Sequence, residues 1–114
     1  DIHIFICILI HMEFEWDDAK NAANISKHGV SFGLAQEAFF DPQRIITFDR
    51  NHSTAEEKRF FCFGMVNSGI LTVRFTIRHG KIRIIGAGFW REGKVKYEKE
   101  NRVSQGPGKH IEGD

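Results

Sequence analysis

Cysteine is scarce in this sequence, and the two cysteines present are not spaced as a metal site or a disulfide pair. Cys7 and Cys62 both lie in apolar runs, with no Cys-x-x-Cys or Cys/His spacing around them. Their placement predicts neither a disulfide framework nor a zinc centre. A reducing compartment suits such a chain best, so we expect a cytoplasmic protein.

Long hydrophobic runs are also missing. The apolar opening, residues 2–10, is interrupted by His3 and is shorter than the ~20 residues that a membrane-spanning helix needs. It lacks the basic start and the small-residue cleavage site of a signal peptide. We expect residues 1–11 to be an upstream or non-native leader before Met12. If this leader is ordered, the shared parity of its isoleucines would allow it to add a strand to a sheet edge.

The chain has almost no net charge, but its basic residues are concentrated in one part. The formal net charge is +1. Residues 74–102 carry nine Lys or Arg against three acidic residues, whereas residues 1–73 carry six against ten. This distribution favours a face that meets phosphate, although a solvated basic helix would give the same count.

The N-terminal part contains the signals of two short helices. Asp17 and Asp18 give an N-cap signal for a helix over residues 19–28, and Gly29 follows as the stop. Ser31 is the next predicted N-cap. Apolar residues then recur at helical spacing until Asp41, which precedes a proline.

From residue 44 the apolar period changes to two, which is typical of strands. Four strands are predicted, at residues 44–48, 59–66, 70–78 and 81–88. Short turns between the last three predict antiparallel hairpins. The segment from Arg91 to Arg102 predicts a final helix, in which Glu92 and Lys96 have the spacing of an ion pair.

Together these elements predict a single α+β domain over residues 12–103. It has two N-terminal helices, an antiparallel β-meander of about four strands and a C-terminal helix. A hydrophobic content of 41% in 114 residues is enough for one core. Residues 104–114 are expected to form a flexible tail.

Two stretches of the sequence carry a family resemblance. The first reads W-D-x-x-K-x-x-x-N-x-x-K-H-G-V-x-F from Trp16 to Phe32, and the second joins residues 75–78 to residues 81–85. With Tyr97 they resemble the BrnT toxin family, over roughly residues 13–100. The resemblance implies a RelE-like α/β ribonuclease toxin of a type II toxin-antitoxin pair, neutralised by a BrnA-like antitoxin that also binds DNA.

The sequence departs from the family pattern after the last strand. Many members continue there with Ser-Ala-Arg and a later Glu-Arg, whereas this chain reads Gly86-Ala87-Gly88-Phe89-Trp90-Arg91. An arginine that is common in the family is therefore missing. Either Arg91 replaces it or its contribution to catalysis is lost.

Metal-independent RNA cleavage needs a base for the 2′-hydroxyl, a cation at the phosphate and an acid for the departing 5′-oxygen. His28 is the predicted proton-transfer group, because imidazole changes charge near neutral pH. Arg78 and Arg83 flank a turn, so they could converge on one phosphate, and arginine can bond two of its oxygens at once. Lys27 is expected to support them. We expect no metal and no cofactor.

Five further residues are predicted to contact RNA: Lys20, Arg74, Arg91, Lys94 and Tyr97. Structural alternatives remain open for several candidates. His28 could simply complement the helix dipole, the arginines could be outward charges on a sheet, and Tyr97 could anchor the last helix by packing.

The sequence therefore predicts an endoribonuclease that cleaves mRNA, inhibits translation and forms a hetero-oligomer with its antitoxin. A catalytically weak or inactive protein that binds an antitoxin or nucleic acid is the main alternative. A DNA-binding autoregulator is disfavoured, because no helix-turn-helix with a basic recognition helix is evident. The acidic residues and His52 between residues 41 and 57 are too irregularly spaced to predict a metal site.

Overall fold

The computed structural model describes residues 13–105, in which helices cover both faces of one sheet. The elements in chain order are β1 (Phe14–Glu15), α1 (Asp18–His28), α2 (Phe32–Ala35), β2 (Ile45–Phe48), β3 (Arg59–Val66), β4 (Gly69–Arg78), β5 (Lys81–Gly88) and α3 (Arg91–Gln105). Two 3₁₀ segments, Gln36–Phe40 and Arg50–His52, lie between them. The predicted leader with its possible edge strand, and residues 106–114 of the predicted tail, lie outside the described residues.

Local capping chemistry sets the bounds of the two N-terminal helices, as predicted. The carboxylate of Asp17 accepts a hydrogen bond from the backbone N–H of Lys20 at 3.0 Å. At the other end of α1, Gly29 adopts a left-handed φ of 70° and donates its N–H to the carbonyl oxygen of Ile25. Ser31 caps α2 in the same manner as Asp17 caps α1. The second predicted helix tightens into a 3₁₀ segment after its first turn.

The sheet has five strands in the order β1-β5-β4-β3-β2. Strands β2 to β5 form the predicted antiparallel meander. His79 and Gly80 both have positive φ in the turn between β4 and β5, which suits the twist of a tight hairpin. Strand β1 was not predicted. It runs parallel to β5 and pairs only Phe14 with Ile82 and Glu15 with Arg83, which is too short for alternation to be detected.

Two clusters of buried side chains lie on opposite faces of the sheet. The larger core packs α2 and the first 3₁₀ segment against the face that includes Cys62 and Phe75. The smaller cluster contains Phe63, Ile70 and Tyr97 and lies under α3. Neighbouring residues Cys62 and Phe63 belong to different clusters because strand side chains alternate between faces. This alternation brings the basic face of β4 to the same side as α3.

The edge of β5 beyond β1 is occupied by α1 rather than by another strand. Asn24, which is 8% exposed, donates its amide to the carbonyl oxygens of Val30 and Ala87, each at 2.9 Å. Its side-chain oxygen accepts the N–H of Ala87 at 3.2 Å. Two residues before Ala87, β5 has a bulge, since Ile85 has no partner on β4. The amide and the bulge together fix how the basic side of α1 faces the sheet.

Candidate active site

A cavity of about 260 Å³ lies between α1, the β4-β5 pair and the residue before α3. Its lining residues on α1 are Lys20, Ala23, Asn24, Lys27 and His28. Their spacing of three and four residues places them on one helix face. Arg74, Ile85, Gly86 and Trp90 complete the lining. The cavity thus brings together four of the residues that the sequence predicted for the site, namely Lys20, Lys27, His28 and Arg74.

His28 occupies the last turn of α1 with its ring against an indole. The centroids of His28 and Trp90 are 5.1 Å apart, with the planes at 84°. This edge-to-face contact restricts the imidazole while leaving His28 exposed. Trp90 was not among the predicted site residues, so the sequence analysis missed its contact with His28.

Arg74 lines the cavity from β4, the strand next to β5. It lies opposite Gly86 in the sheet register, just before the bulge. A Cβ at Gly86 would lie 3.5 Å from Nε and 3.7 Å from Cζ of Arg74. The missing side chain at Gly86 therefore leaves one face of the guanidinium open to the cavity.

The basic groups of this cavity have no carboxylate partners among residues 13–105. No described ion pair includes Lys20, Lys27 or Arg74, whereas five other basic residues are paired with Asp or Glu: Arg59, Arg78, Lys81, Arg83 and Lys96. No acidic residue lines the cavity. Three uncompensated cations around one concavity favour an anionic ligand, and phosphate suits the arginine fork.

Arg78 and Arg83 lie outside this cavity and do not converge with each other. Nη2 of Arg78 is 2.9 Å from Oε2 of Glu57, and Nη1 of Arg83 is 3.2 Å from Oε2 of Glu15. Each guanidinium thus contacts a different carboxylate. The second pair joins β1 to β5, a contact that the sequence could not predict because β1 itself was not predicted. A role for either arginine with RNA stays a prediction.

Tyr97 is buried, in contrast to its predicted contact with RNA. The residue is 6% exposed, and its hydroxyl donates to Oδ2 of Asp41 at 2.6 Å. Burial and this bond raise the pKa of Tyr97. Burial works against ionisation of Asp41, but hydrogen bonds from Tyr97, Met65 and Gln43 outweigh it and hold the pKa of that carboxyl below its ordinary value. The structural alternative for Tyr97, a packing anchor, fits these contacts.

Arg91 and Lys94 are exposed in the first turns of α3 and line neither of the two cavities described here. The ion pair predicted between Glu92 and Lys96 is replaced by another. Nζ of Lys96 is 3.2 Å from Oε2 of Glu100 instead, and Glu92 has no cation partner among the described residues.

A second cavity of about 360 Å³ adjoins the first and shares Arg74 and Trp90 with it. Its other lining residues are His52, Phe61, Phe63, Thr72, Glu92 and Gly93. The Thr72 hydroxyl lies beneath Gly93 and has no hydrogen-bond partner within the described part of the chain. The first turn of α3 therefore packs directly on Thr72, which lines this cavity.

The indole of Trp90 packs closely against Gly88 at the end of β5. A Cβ at Gly88, which stands where many members have the arginine of Ser-Ala-Arg, would lie 2.5 Å from Cζ2 and 2.6 Å from Cε2 of Trp90. No side chain fits at Gly88 while the indole is in this position. The position of the Trp90 indole therefore requires glycine at residue 88.

A sequence model described as the ribonuclease toxin, BrnT, of type II toxin-antitoxin systems matches residues 16–93. The chain belongs to this family. The matched segment contains every residue that lines the two cavities. No curated protein gives a significant match to the chain.

Membership of the BrnT family confirms the predicted activity class. The chain is a ribonuclease toxin, and its type II system implies a protein antitoxin as partner. None of the helices within residues 13–105 is long and apolar enough to cross a membrane. Over the same residues, no group of three or more His, Cys, Asp or Glu side chains is arranged to hold a metal ion.

Proposed function

We propose that the cavity between α1 and β5 binds the scissile phosphate of an RNA strand and cleaves it without a metal ion. One observation carries this proposal. Lys20, Lys27 and Arg74 line one concavity with His28, and none of the three cations has a carboxylate partner in the described residues. RNA supplies the anion, and the imidazole supplies the proton transfer that internal transphosphorylation requires.

In the proposed reaction, His28 accepts the proton of the 2′-hydroxyl. The 2′-oxygen then bonds to phosphorus while the bond from phosphorus to the 5′-oxygen breaks. Lys27 donates a proton to the departing 5′-oxygen and is reprotonated by solvent. The products are a 2′,3′-cyclic phosphate and a 5′-hydroxyl, so no water or metal enters the chemical step.

Arg74 is the proposed phosphate clamp. Its planar fork stays charged and can bond two phosphate oxygens, so it stabilises the charge that develops on the phosphorane. Lys20, in the first turn of α1, adds a second cation. We assign Arg78, Arg83, Arg91 and Lys94 to neighbouring phosphates of the strand, because their charges lie outside the cavity.

We further propose that the substrate is mRNA, that cleavage inhibits translation, and that the toxin acts in the cytoplasm. A BrnA-like antitoxin is the proposed partner, in a hetero-oligomer that suppresses toxicity. Family membership supports both points. Co-expression with the product of the adjacent reading frame should restore growth and yield a stable complex.

The chemistry is tested with the purified toxin and an RNA oligomer labelled at both ends. We expect cleavage in EDTA, with products that carry a 2′,3′-cyclic phosphate and a 5′-hydroxyl. His28→Ala should lower kcat by roughly 10²–10⁴, the usual contribution of a general acid or base. Lys99→Ala is the matched control, because Lys99 is exposed on α3 outside both cavities.

Loss of cleavage in EDTA would contradict the metal-free reaction. Full activity of His28→Ala would remove His28 from the chemistry. Cleavage of an oligomer with a 2′-O-methyl group at the scissile position would exclude transphosphorylation, since that substrate has no 2′-hydroxyl proton to transfer.

A further inference from the structure

The second cavity differs from the first in chemistry, although Arg74 and Trp90 line both. The first contains only cationic and neutral groups, whereas the second has a carboxylate, Glu92, and two phenylalanine rings. A phosphate is therefore favoured in the first cavity over the second. A strand that places its phosphate on Arg74 leaves the adjoining space for an uncharged group.

We propose that the second cavity is a guanine subsite for the nucleotide next to the scissile phosphate. This inference rests on the proposed function, because that function places the phosphate at Arg74. The subsite would give the toxin a base preference at its cleavage position.

Flat aromatic surfaces line this cavity. The rings of Phe61 and Phe63 are stacked, with centroids 5.7 Å apart and planes at 19°. The indole of Trp90 lines the wall shared with the first cavity. Aromatic faces of this kind accept any base by stacking, so they supply affinity without discrimination.

Discrimination comes from two groups that accept hydrogen bonds. Glu92 has no cation partner among the described residues, because Lys96 is paired with Glu100 at 3.2 Å. The second group is His52, whose Nδ1 lies 2.9 Å from Oδ2 of Asp49. That carboxylate is only 7% exposed, and since it can only accept, it keeps the proton on Nδ1. Nε2 of His52 is then an acceptor when the ring is neutral.

Guanine is the base that matches two acceptors. Its N1–H and N2 amino group lie side by side on one edge, so one carboxylate can accept from both. Adenine and cytosine place their amino group beside an acceptor nitrogen, and uracil places its single N–H between two carbonyl groups. A carboxylate therefore repels part of the pairing edge of each of these three bases.

The test uses cleavage-inert oligomers, in which a 2′-deoxynucleotide replaces the scissile ribonucleotide and the bases on both sides are varied. Binding is measured by fluorescence anisotropy with the full chain. We expect guanine to bind at least tenfold more tightly than adenine, cytosine or uracil. Hypoxanthine, which lacks the N2 amino group, should lose most of that advantage.

Glu92→Gln should reduce the guanine preference to less than threefold, because the amide presents a donor to the edge. Glu98→Gln is the matched control, since Glu98 is exposed on the same helix and lines neither cavity. Phe61→Leu should weaken binding of all four bases about equally.

Equal binding of the four bases by the unmodified chain would overturn the proposal, as would a guanine preference that survives Glu92→Gln. Tighter binding of adenine, cytosine or uracil would also overturn it. Because these oligomers cannot be cleaved, the result is independent of catalysis. A guanine preference without cleavage of the matching RNA would refute the proposed reaction but would still support the guanine subsite.

Discussion

The side-chain amide of Asn24 pairs with both backbone polar groups of Ala87, as an adjacent strand would. Its Nδ2 donates to the carbonyl oxygen at 2.9 Å, and its Oδ1 accepts the N–H at 3.2 Å. One helical residue thus satisfies a sheet edge that would otherwise be left with unpaired groups. The same contact holds the helix face that carries Lys27 and His28 over the sheet.

Asn24→Ala should lower the free energy of unfolding by about 3 kcal/mol. It leaves the backbone groups of Ala87 and the carbonyl of Val30 without their partner, and each unsatisfied buried group costs roughly 1–3 kcal/mol. Urea denaturation measures the change. Asn51→Ala, at an exposed position of the second 3₁₀ segment, should stay within about 0.5 kcal/mol. A loss below about 1 kcal/mol for Asn24→Ala would show that water replaces the amide.

Gly93→Ala should destabilise the chain, against the usual trend. Alanine normally stabilises a helix by ~1 kcal/mol over glycine. Here the new Cβ would overlap Oγ1 of Thr72 and lie 3.0 Å from Cδ1 of Phe63. Overpacking of this kind costs about 1–3 kcal/mol. This penalty should exceed the gain in helix propensity, so the melting temperature should fall. In a Thr72→Ala background the loss of stability caused by Gly93→Ala should be smaller. An unchanged loss would show that contact with Thr72 is not its cause.

Gly88→Arg, which restores the arginine common in the family, should destabilise the chain by about 2 kcal/mol because of the Trp90 indole. The penalty should fall by at least about 1 kcal/mol in a Trp90→Ala background, which a double-mutant cycle measures by urea denaturation. Gly86→Ala is the control. Its Cβ meets Arg74 only at ordinary contact distance, so it should not destabilise the strand. Additive effects of the two changes would mean that Gly88 and Trp90 are independent.

Tyr97→Phe should cost about 1.5 kcal/mol at neutral pH, the typical value of a hydrogen bond to a charged group. The pKa of Asp41 is lowered in the folded chain, so its ionisation stabilises the fold above the ordinary carboxyl pKa. That stability is lost as the pH falls through the folded pKa. The difference in the free energy of unfolding between the unmodified chain and the variant should therefore become smaller at acidic pH. NMR titration should show a higher pKa for Asp41 in the variant. A difference independent of pH would assign the loss to packing alone.

Arg74→Ala should lower kcat/KM for RNA by about 100-fold or more, because it removes a group at the reacting phosphate. Arg78→Ala should lower it less than tenfold. Its ion pair with Glu57 is largely exposed, so the variant should keep its stability to within about 1 kcal/mol. Equal losses in the two variants would mean that Arg78, beside the hairpin turn, contributes as much as Arg74 at the reacting phosphate. That result would favour the site predicted from the sequence.

Features with a local cause could be predicted from the sequence. The caps at Asp17 and Ser31, the stop at Gly29 and the tight turn at His79 each depend on residues close in the chain. Alternation of apolar residues likewise identified the four strands of the meander. The motif match predicted the family, and with it the activity class, from Trp16 to Phe32.

Features that depend on distant pairing could not be predicted. The bulge at Ile85 changes which residues of β5 share a face with Arg74, and Gly86 beside it indicates an irregularity without showing which residue is left unpaired. Similarly, spacing placed Arg78 and Arg83 near each other but could not show that Glu57 and Glu15 engage them. Asn24 was visible in the motif, yet its partner Ala87 lies far along the chain.

The brevity of β1 has a consequence for the cavity proposed to bind RNA. This strand runs beside β5 for only two residues before Asp17 turns the chain into α1. A longer parallel strand would have consumed the groups of Ala87 that Asn24 uses, and the helix with its basic face would have had nowhere to dock. The early end of β1 therefore leaves this part of the β5 edge free, and α1 with its basic face occupies it through Asn24.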